Sequence, residues 1–413
     1  MRFVSMPALL TLVMVLAIGC GRGDEEGGVG GGGKSAAASP GITDTSIKLG
    51  GSYPLSGPAS AYASIAAGAE ARFEAENAKG GVDGRKISFT TLDDGYEPQR
   101  AVTNARRLIE RDQVFALFNT LGTPNNLATW DYVNQKKVPH VYLATGASAW
   151  GADIDKHPYT IGWQPDYVSE AHTYAEFLKE KKPNAKVAVL YQNDGFGKDL
   201  LGGFEKSIAG SAIKVVAKES YEATDPTITS QMRKLGSSGA DTFLNITTPK
   251  FSAQSIAALA KSDWKPLHIL NNVGASKNLV LKPVGLENAK GIYSTAYFKD
   301  PEDPKWDDDA AMKEFKAGVK KYEPKANPQE TFVAYGWAAA STMIEALKAM
   351  KEPTRESLME AVRNMDVEIP LLLPGIRVKT GEGDGYPIQA NQIMRFNGEN
   401  WELQGDVIDA SQT

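Results

Sequence analysis

The side chains able to do chemistry in this chain are spaced for holding a small molecule and not for transforming one. Its four histidines, His140, His157, His172 and His268, fall in no H-E-x-x-H pair. With one cysteine, Cys20, in 413 residues, no Cys/His zinc cluster can form. No G-x-S-x-G elbow occurs, and G-x-x-x-x-G-K-[ST] is met only by Gly28 to Ser35, within a Gly-rich low-complexity stretch that no strand precedes. Asp93 and Asp94 are adjacent, so on a strand they point to opposite faces. Asp307 to Asp309 read as the acidic start of a helix, where the dipole favours them. The chain therefore reads as a non-enzyme, with no metal and no cofactor. What stands out instead is a set of polar loops. Leu121-Gly-Thr-Pro-Asn125 precedes a helix, and the free N–H groups at that helix start, with the Thr123 hydroxyl, make a small anion site. The plainer alternative is that Thr123 only caps its helix. Ala144-Thr-Gly-Ala-Ser148 is a second such loop, or else a purely structural tight turn.

The elements that position these loops alternate along the first two-thirds of the chain. Strand patterns at 46–55, 86–93, 114–118 and 138–144 are separated by helical patterns at 61–78, 99–111 and 126–137. The alternation resumes with helices at 167–181, 198–209, 227–235 and 251–261, and strands at 186–192, 213–219, 241–246 and 267–271. This argues for parallel sheets covered by helices on both faces. A strand at 291–297 is followed by three helical patterns, 308–322, 330–350 and 354–365, without a strand between them. Thr354 suits the cap of the last. After Pro370 the chain turns short and strand-like. Periodicity leaves open whether this builds two βα blocks with three crossings or one large sheet.

Composition bounds the rest. Net charge is −5 (45 Lys+Arg against 50 Asp+Glu), which offers no basic footprint for nucleic acid. Arg2 and the apolar run from Pro7 to Ile18 have the form of a signal peptide, too short to span a bilayer. Leu16-Ala-Ile-Gly-Cys20 resembles the bacterial lipobox, where cleavage precedes a cysteine that receives a diacylglycerol, although Ala17 stands where Leu, Val or Ile is usual. Positions 21–40 are Gly-, Ser- and Ala-rich and read as a flexible tether. Gly28 to Gly33 satisfies G-x-G-x-x-G only as low complexity, with no strand before it and no helix after.

Several segments, in this order and spacing, resemble the branched-chain amino-acid type of solute-binding protein, the extracytoplasmic receptor of an ABC importer. They are Pro54-Leu-Ser-Gly-Pro58, Ala78-Lys-Gly-Gly-Val-Asp-Gly-Arg-Lys86, Asp93-Asp94 with Pro98, Val187-Ala-Val-Leu-Tyr191 and Phe196-Gly197. The resemblance covers nearly all of 41–413. It implies a type I periplasmic binding protein fold of class α/β, two Rossmann-like lobes with parallel central sheets joined by three hinge crossings. The implied division is a signal peptide at 1–19, a tether at 20–42, an N-terminal lobe from 43–164 with 296–373, and a C-terminal lobe from 165–295 with 374–413. Partners would be ABC permease and ATPase subunits, the membrane through the lipid anchor, and a small carboxylate ligand bound by a monomer. A ligand-sensing role beside a membrane sensor is the alternative.

By the same resemblance, Thr123 falls where a hydroxyl binds the ligand carboxylate. Ala144 falls where a backbone carbonyl accepts from the ligand's polar end, and Gly146 where relatives often have threonine, its N–H kept and its hydroxyl lost or supplied by Thr145. Tyr62, Phe196 and Phe332 match pocket aromatics, although Phe332 lies in an apolar helix and would serve equally as core. Trp163, Gln164 and Tyr297 are hinge-adjacent candidates. Amino-acid-binding members place an acid just after the strand at 267–271; here that position is Asn272, or Asn271 if the register slips by one. A buried ammonium without a counter-charge is costly, so the ligand is expected to be a carboxylate lacking an α-ammonium, such as a 2-oxo or aromatic acid, with a branched-chain amino acid as the alternative. Mass spectrometry of the mature N-terminus should find a lipidated Cys20; an unmodified start elsewhere would contradict the anchor.

Overall fold

The structure, a computed structural model, describes residues 37–410. Cys20, the signal segment and the Gly-rich stretch to position 36 lie outside the described residues, as do 411–413. Two sheets organise the described chain. The first contains β1 (Ser46–Tyr53), β2 (Lys86–Asp93), β3 (Ala116–Phe118), β4 (His140–Leu143) and β5 (Thr160–Gly162), in the order β2-β1-β3-β4-β5 with every pair parallel. The second contains β6 (Lys186–Gln192), β7 (Lys214–Tyr221), β8 (Thr242–Ile246), β9 (Leu267–Leu270) and β10 (Tyr293–Ala296). A two-residue ribbon, β11 (Asp366–Val367) with β12 (Val378–Lys379), stands apart, and the antiparallel hairpin of β13 (Ala390–Phe396) and β14 (Trp401–Asp409) joins the second sheet. Its order is β14-β13-β10-β9-β8-β6-β7, parallel from β7 to β10, with β13 antiparallel to β10.

Stripped of that hairpin, both sheets repeat one pattern. In each, the first strand lies between the second and the third, and the order then runs outward. This is a doubly wound arrangement whose strand order reverses beside the first strand, the place where such sheets bind ligands. The strands read as near-continuous apolar runs because helices cover both faces: β4 and β8 are buried at every residue. The two-lobe α/β architecture is thus built twice from the same local rule.

Most helices and strands fall where the periodicity places them, and three differences have physical causes. The helix expected over 99–111 runs as α-helix only from Pro98 to Arg106 and continues as a π-turn over Arg107–Arg111. The strand β5 carries no period, since three residues are too few to show one. The polar tail after Pro370 holds the β13–β14 hairpin, two of the longer strands in the chain, which turn-rich composition conceals.

The helix Thr331–Ala349 is the spine of the first lobe. Fifteen of its residues are buried, all of Phe332–Thr342 among them, as expected for a helix enclosed on every side. It packs against the helix Ser64–Ala78 with backbones in contact. A Cβ on Gly68 would lie 2.0 Å from the Val333 carbonyl oxygen, and one on Gly336 would lie 1.9 Å from the Ile65 carbonyl oxygen. Two glycines facing each other's helix let the pair approach this closely. Gly68→Ala and Gly336→Ala should therefore each destabilise the fold by about 1–3 kcal/mol, the usual range for overpacking. Denaturant titration measures this, and an unchanged midpoint would show that the helices separate without cost.

Candidate functional site

Each loop at the cleft leaves a strand at its carboxyl end. After β1, Ser56 is tied to Asp93: its N–H and hydroxyl donate to the two carboxylate oxygens at 3.1 and 2.6 Å. That tie leads into a turn of 3₁₀-helix, Ser60–Ala63, which carries Tyr62. Burial would raise the Asp93 carboxyl, but hydrogen bonds from Ser56, Gly95 and Arg100 outweigh it and hold it at about 2. Its partner in sequence, Asp94, is fully buried on the other face, accepting from Ser52 and from the Tyr96 N–H. Adjacent acids thus anchor two different loops.

After β3, Gly122 takes a positive φ of 97°, and the Tyr96 ring lies 2.7 Å from where its Cβ would be. The helix Thr123–Gln135 starts there with no side-chain cap. Thr123 is its first residue, and its hydroxyl lies 2.5 Å from that of Thr145. The simple capping role for Thr123 is therefore not what the chain uses. The first N–H groups of any helix lack partners within it, and Gly122 and Thr123 at this helix start line the gap between the sheets.

The second sheet supplies the opposite wall. Asp194 caps the helix Gly195–Ser207 by accepting from the N–H groups of Phe196 and Gly197, and Asp166 caps Tyr167–Lys181 in the same way. These caps place Phe196 and Tyr167 together, ring centroids 5.0 Å apart. Tyr62 meets Phe332 at 5.0 Å and donates its phenol to the Val273 carbonyl of the other lobe at 3.1 Å. Three further bonds join the lobes: Gln192 donates to the Tyr96 phenol at 3.3 Å, and Ser148 donates N–H and hydroxyl to Asp199 at 2.7 and 2.8 Å. At the hinge, Trp163 is fully buried and donates to Thr342, while Gln164 accepts from the Tyr335 phenol at 3.0 Å.

Between these walls lies a cavity with about 890 Å³ of atom-free space, partly open to solvent and mostly apolar in its lining. Tyr62, Thr123, Ala144, Phe196, Asn272 and Phe332 all line it, as do Gln164 and Tyr297. Phe332 serves as core and as cavity wall at once. Thr145 and Gly146 do not line it: Thr145 turns its hydroxyl to Thr123, and Gly146 is fixed by packing, since a Cβ there would lie 2.6 Å from the Pro165 carbonyl oxygen. A threonine at 146 would not fit this backbone. Asn272 faces the cavity and Asn271 does not; the latter accepts the Thr247 N–H inside the sheet. Asn272 spends its amide on the Thr295 carbonyl at 2.6 Å and its N–H on Glu170 at 2.7 Å. Glu170 lies behind Asn272, outside the lining, and burial pushes its carboxyl up to about 7.

Sequence reasoning missed Tyr96, Tyr167, Thr248, Asp300, Met394 and Trp401, all on the cavity wall. Tyr96 follows Asp94-Gly95 at a positive φ of 67°, and Tyr167 opens a helix behind a capping aspartate, so both had local signals. Burial keeps the phenols of Tyr62, Tyr96 and Tyr167 well above the usual tyrosine range, so they act as neutral hydrogen-bonding groups. Burial likewise drives His140 and His268 down to about 3, leaving them neutral within the sheets.

A two-lobe fold closed on a cavity of this kind defines a binding protein, and the comparisons agree. The family model for periplasmic binding protein matches residues 46–400, and the chain belongs to that family. It is similar to Leu/Ile/Val-binding protein homolog 7 of Brucella abortus (strain 2308), with 26% identity over 386 residues, 89% of this chain and 91% of the relative. Among solved structures it shares its fold with a branched chain amino acid ABC transporter from Thermus thermophilus with bound valine, at a TM-score of 0.79 and 16% identity over 90% of this chain and 98% of that one. A fatty acid ABC transporter substrate-binding protein from Thermomonospora curvata superposes at 0.76 with 22% identity, covering 91% and 95%.

The Asp93 tie gives a pH signature. Its folded pKa lies below the unfolded value of about 4, so its stabilisation is present above that pH and is lost as the pH falls toward about 2. Asp93→Asn should therefore melt lower than the parent at neutral pH, with the difference shrinking below about pH 4. A difference that does not change with pH would show that the carboxylate charge is not what anchors the Ser56 loop.

Proposed function

We propose that this chain is the extracytoplasmic, lipid-anchored substrate-binding subunit of an ABC importer. It captures a small carboxylate between its lobes and presents the closed form to permease and ATPase subunits in the membrane. One observation carries the reading most: an apolar cavity enclosed by both lobes, with the uncapped start of the Thr123 helix on its wall. Helix N–H groups and a hydroxyl favour an anion, and aromatic walls suit an apolar body. The names attached to the similar proteins, valine and fatty acid among them, have a carboxylate in common. An α-ammonium is not common to them.

Lobe boundaries near 164, 296 and 373 fit this reading, because the chain passes between the sheets after β5, after β10 and before β13. The ligand class we favour is a carboxylate without an α-ammonium, a 2-oxo or aromatic acid over a branched-chain amino acid. Asn272 supports it: no carboxylate stands at that position, and its amide is already engaged with Thr295.

A thermal-shift screen over amino acids, their 2-oxo analogues and aromatic acids tests the class. A true ligand at a hundred times its Kd should add about 2.7 kcal/mol of stability. Thr123→Val should then weaken that ligand by about 1.5–3 kcal/mol in calorimetry, as for a hydrogen bond to a charged group. Tight leucine or valine binding with no response to the acids would overturn the preference, and unchanged affinity in Thr123→Val would remove that hydroxyl from the site.

A further inference from the structure

The cavity has a second polar end. Thr123 sits among Gly122, Thr145 and Gly195, close to Tyr96. From there the wall runs through Tyr62 to Phe332 and Val273. Beyond Phe332 come Ser276 and Trp401, whose indole donates to the neighbouring Ala275 carbonyl at 3.1 Å. Asp300 lines the cavity at this end.

Three acids gather around it, and two are already committed. Glu302 pairs with Lys277 at 2.9 Å and Lys282 at 2.8 Å. Glu330 accepts from the Ser276 hydroxyl at 2.8 Å and from the Phe332 N–H at 3.3 Å. Lys277 is satisfied by Glu302 and by Asn400 at 2.8 Å. Asp300 accepts one backbone bond, from the Glu302 N–H at 2.9 Å on Oδ1, and among the described residues no lysine or arginine pairs with it. Burial, with Glu302 and Asp303 adding to it against the pull of Lys277, pushes its carboxyl up to about 6. An acid placed on an apolar wall without a cation is costly unless something arrives to bond it.

We infer that Asp300 receives a hydrogen-bond donor, an ammonium or a hydroxyl, carried by the ligand at the end remote from its carboxylate. The ligand is then two-ended: a carboxylate at Thr123, an apolar or aromatic body along Tyr62 and Phe332, and a donor at Asp300. A branched-chain α-amino acid does not meet this description, because its apolar side chain carries no donor to the far end. The inference rests on the carboxylate reading proposed above and adds the specificity for the other end.

Calorimetry on the parent protein, Asp300→Asn and Asp300→Leu tests it with matched probes. These are butyrate, valerate and caproate, each beside its ω-amino and ω-hydroxy counterpart, and phenylpropionate beside p-hydroxyphenylpropionate. At least one donor-bearing acid should bind about ten- to hundred-fold tighter than its unsubstituted parent, the range of a bond to a charged group. Asp300→Leu should abolish that advantage, so that the substituted acid binds no tighter than its plain parent. Asp300→Asn should abolish it for the amino acids of the series and reduce it for the hydroxy acids, which separates the two donors. Equal binding of substituted and plain acids, or an advantage that survives Asp300→Leu, would overturn the role of Asp300 alone. Failure of every acid to bind would overturn the carboxylate reading and this inference with it.

Discussion

A parallel sheet delivers the carboxyl ends of all its strands to one side, and this chain sets two such edges facing each other. Every other feature of the site follows from that constraint. Tyr62, Tyr96, Thr123, Ala144 and Gln164 come from the loops after β1 to β5, in that order. Phe196, Thr248 and Asn272 follow β6, β8 and β9, and Tyr297 with Asp300 follows β10. Both sheets reverse their strand order beside their first strand, so each offers a crevice there. The cavity is the sum of the two crevices. No loop has to reach far, and the side chains stand on rigid elements.

Between the edges, polarity is arranged economically. Asp93, Asp166 and Asp194 serve as anchors and caps, and Asp94 is consumed inside the first lobe. The hydroxyls of Thr123 and Thr145 face each other, so the second orients the first. Apolar and aromatic groups fill the middle. Where a carboxylate is left with spare capacity on the wall, as at Asp300, it stands out against this background of completed bonds.

The helices from Tyr167 and the strand from Lys186 were legible to the residue, because caps and buried runs coincide there. Thr123, Tyr62 and Phe196 were legible through their place after strands and the family resemblance. Gly146 stands outside the cavity lining: a glycine is needed there because folding brings the Pro165 carbonyl, nineteen residues along the chain, against it. Asp300, Met394 and Trp401 gave no signal at all. Asp300 reaches the cavity just past the second crossing and the other two through the terminal hairpin, and tertiary placement of that kind leaves no period or motif in the local sequence.

The bonds between lobes need no guest. Tyr62 to Val273, Gln192 to Tyr96 and Ser148 to Asp199 are made by the protein alone. Net contributions of about 1 kcal/mol for such bonds tilt the jaws toward shut. The outline of the shut form is held in part by the protein's own clasp, and prising it open must first break that clasp.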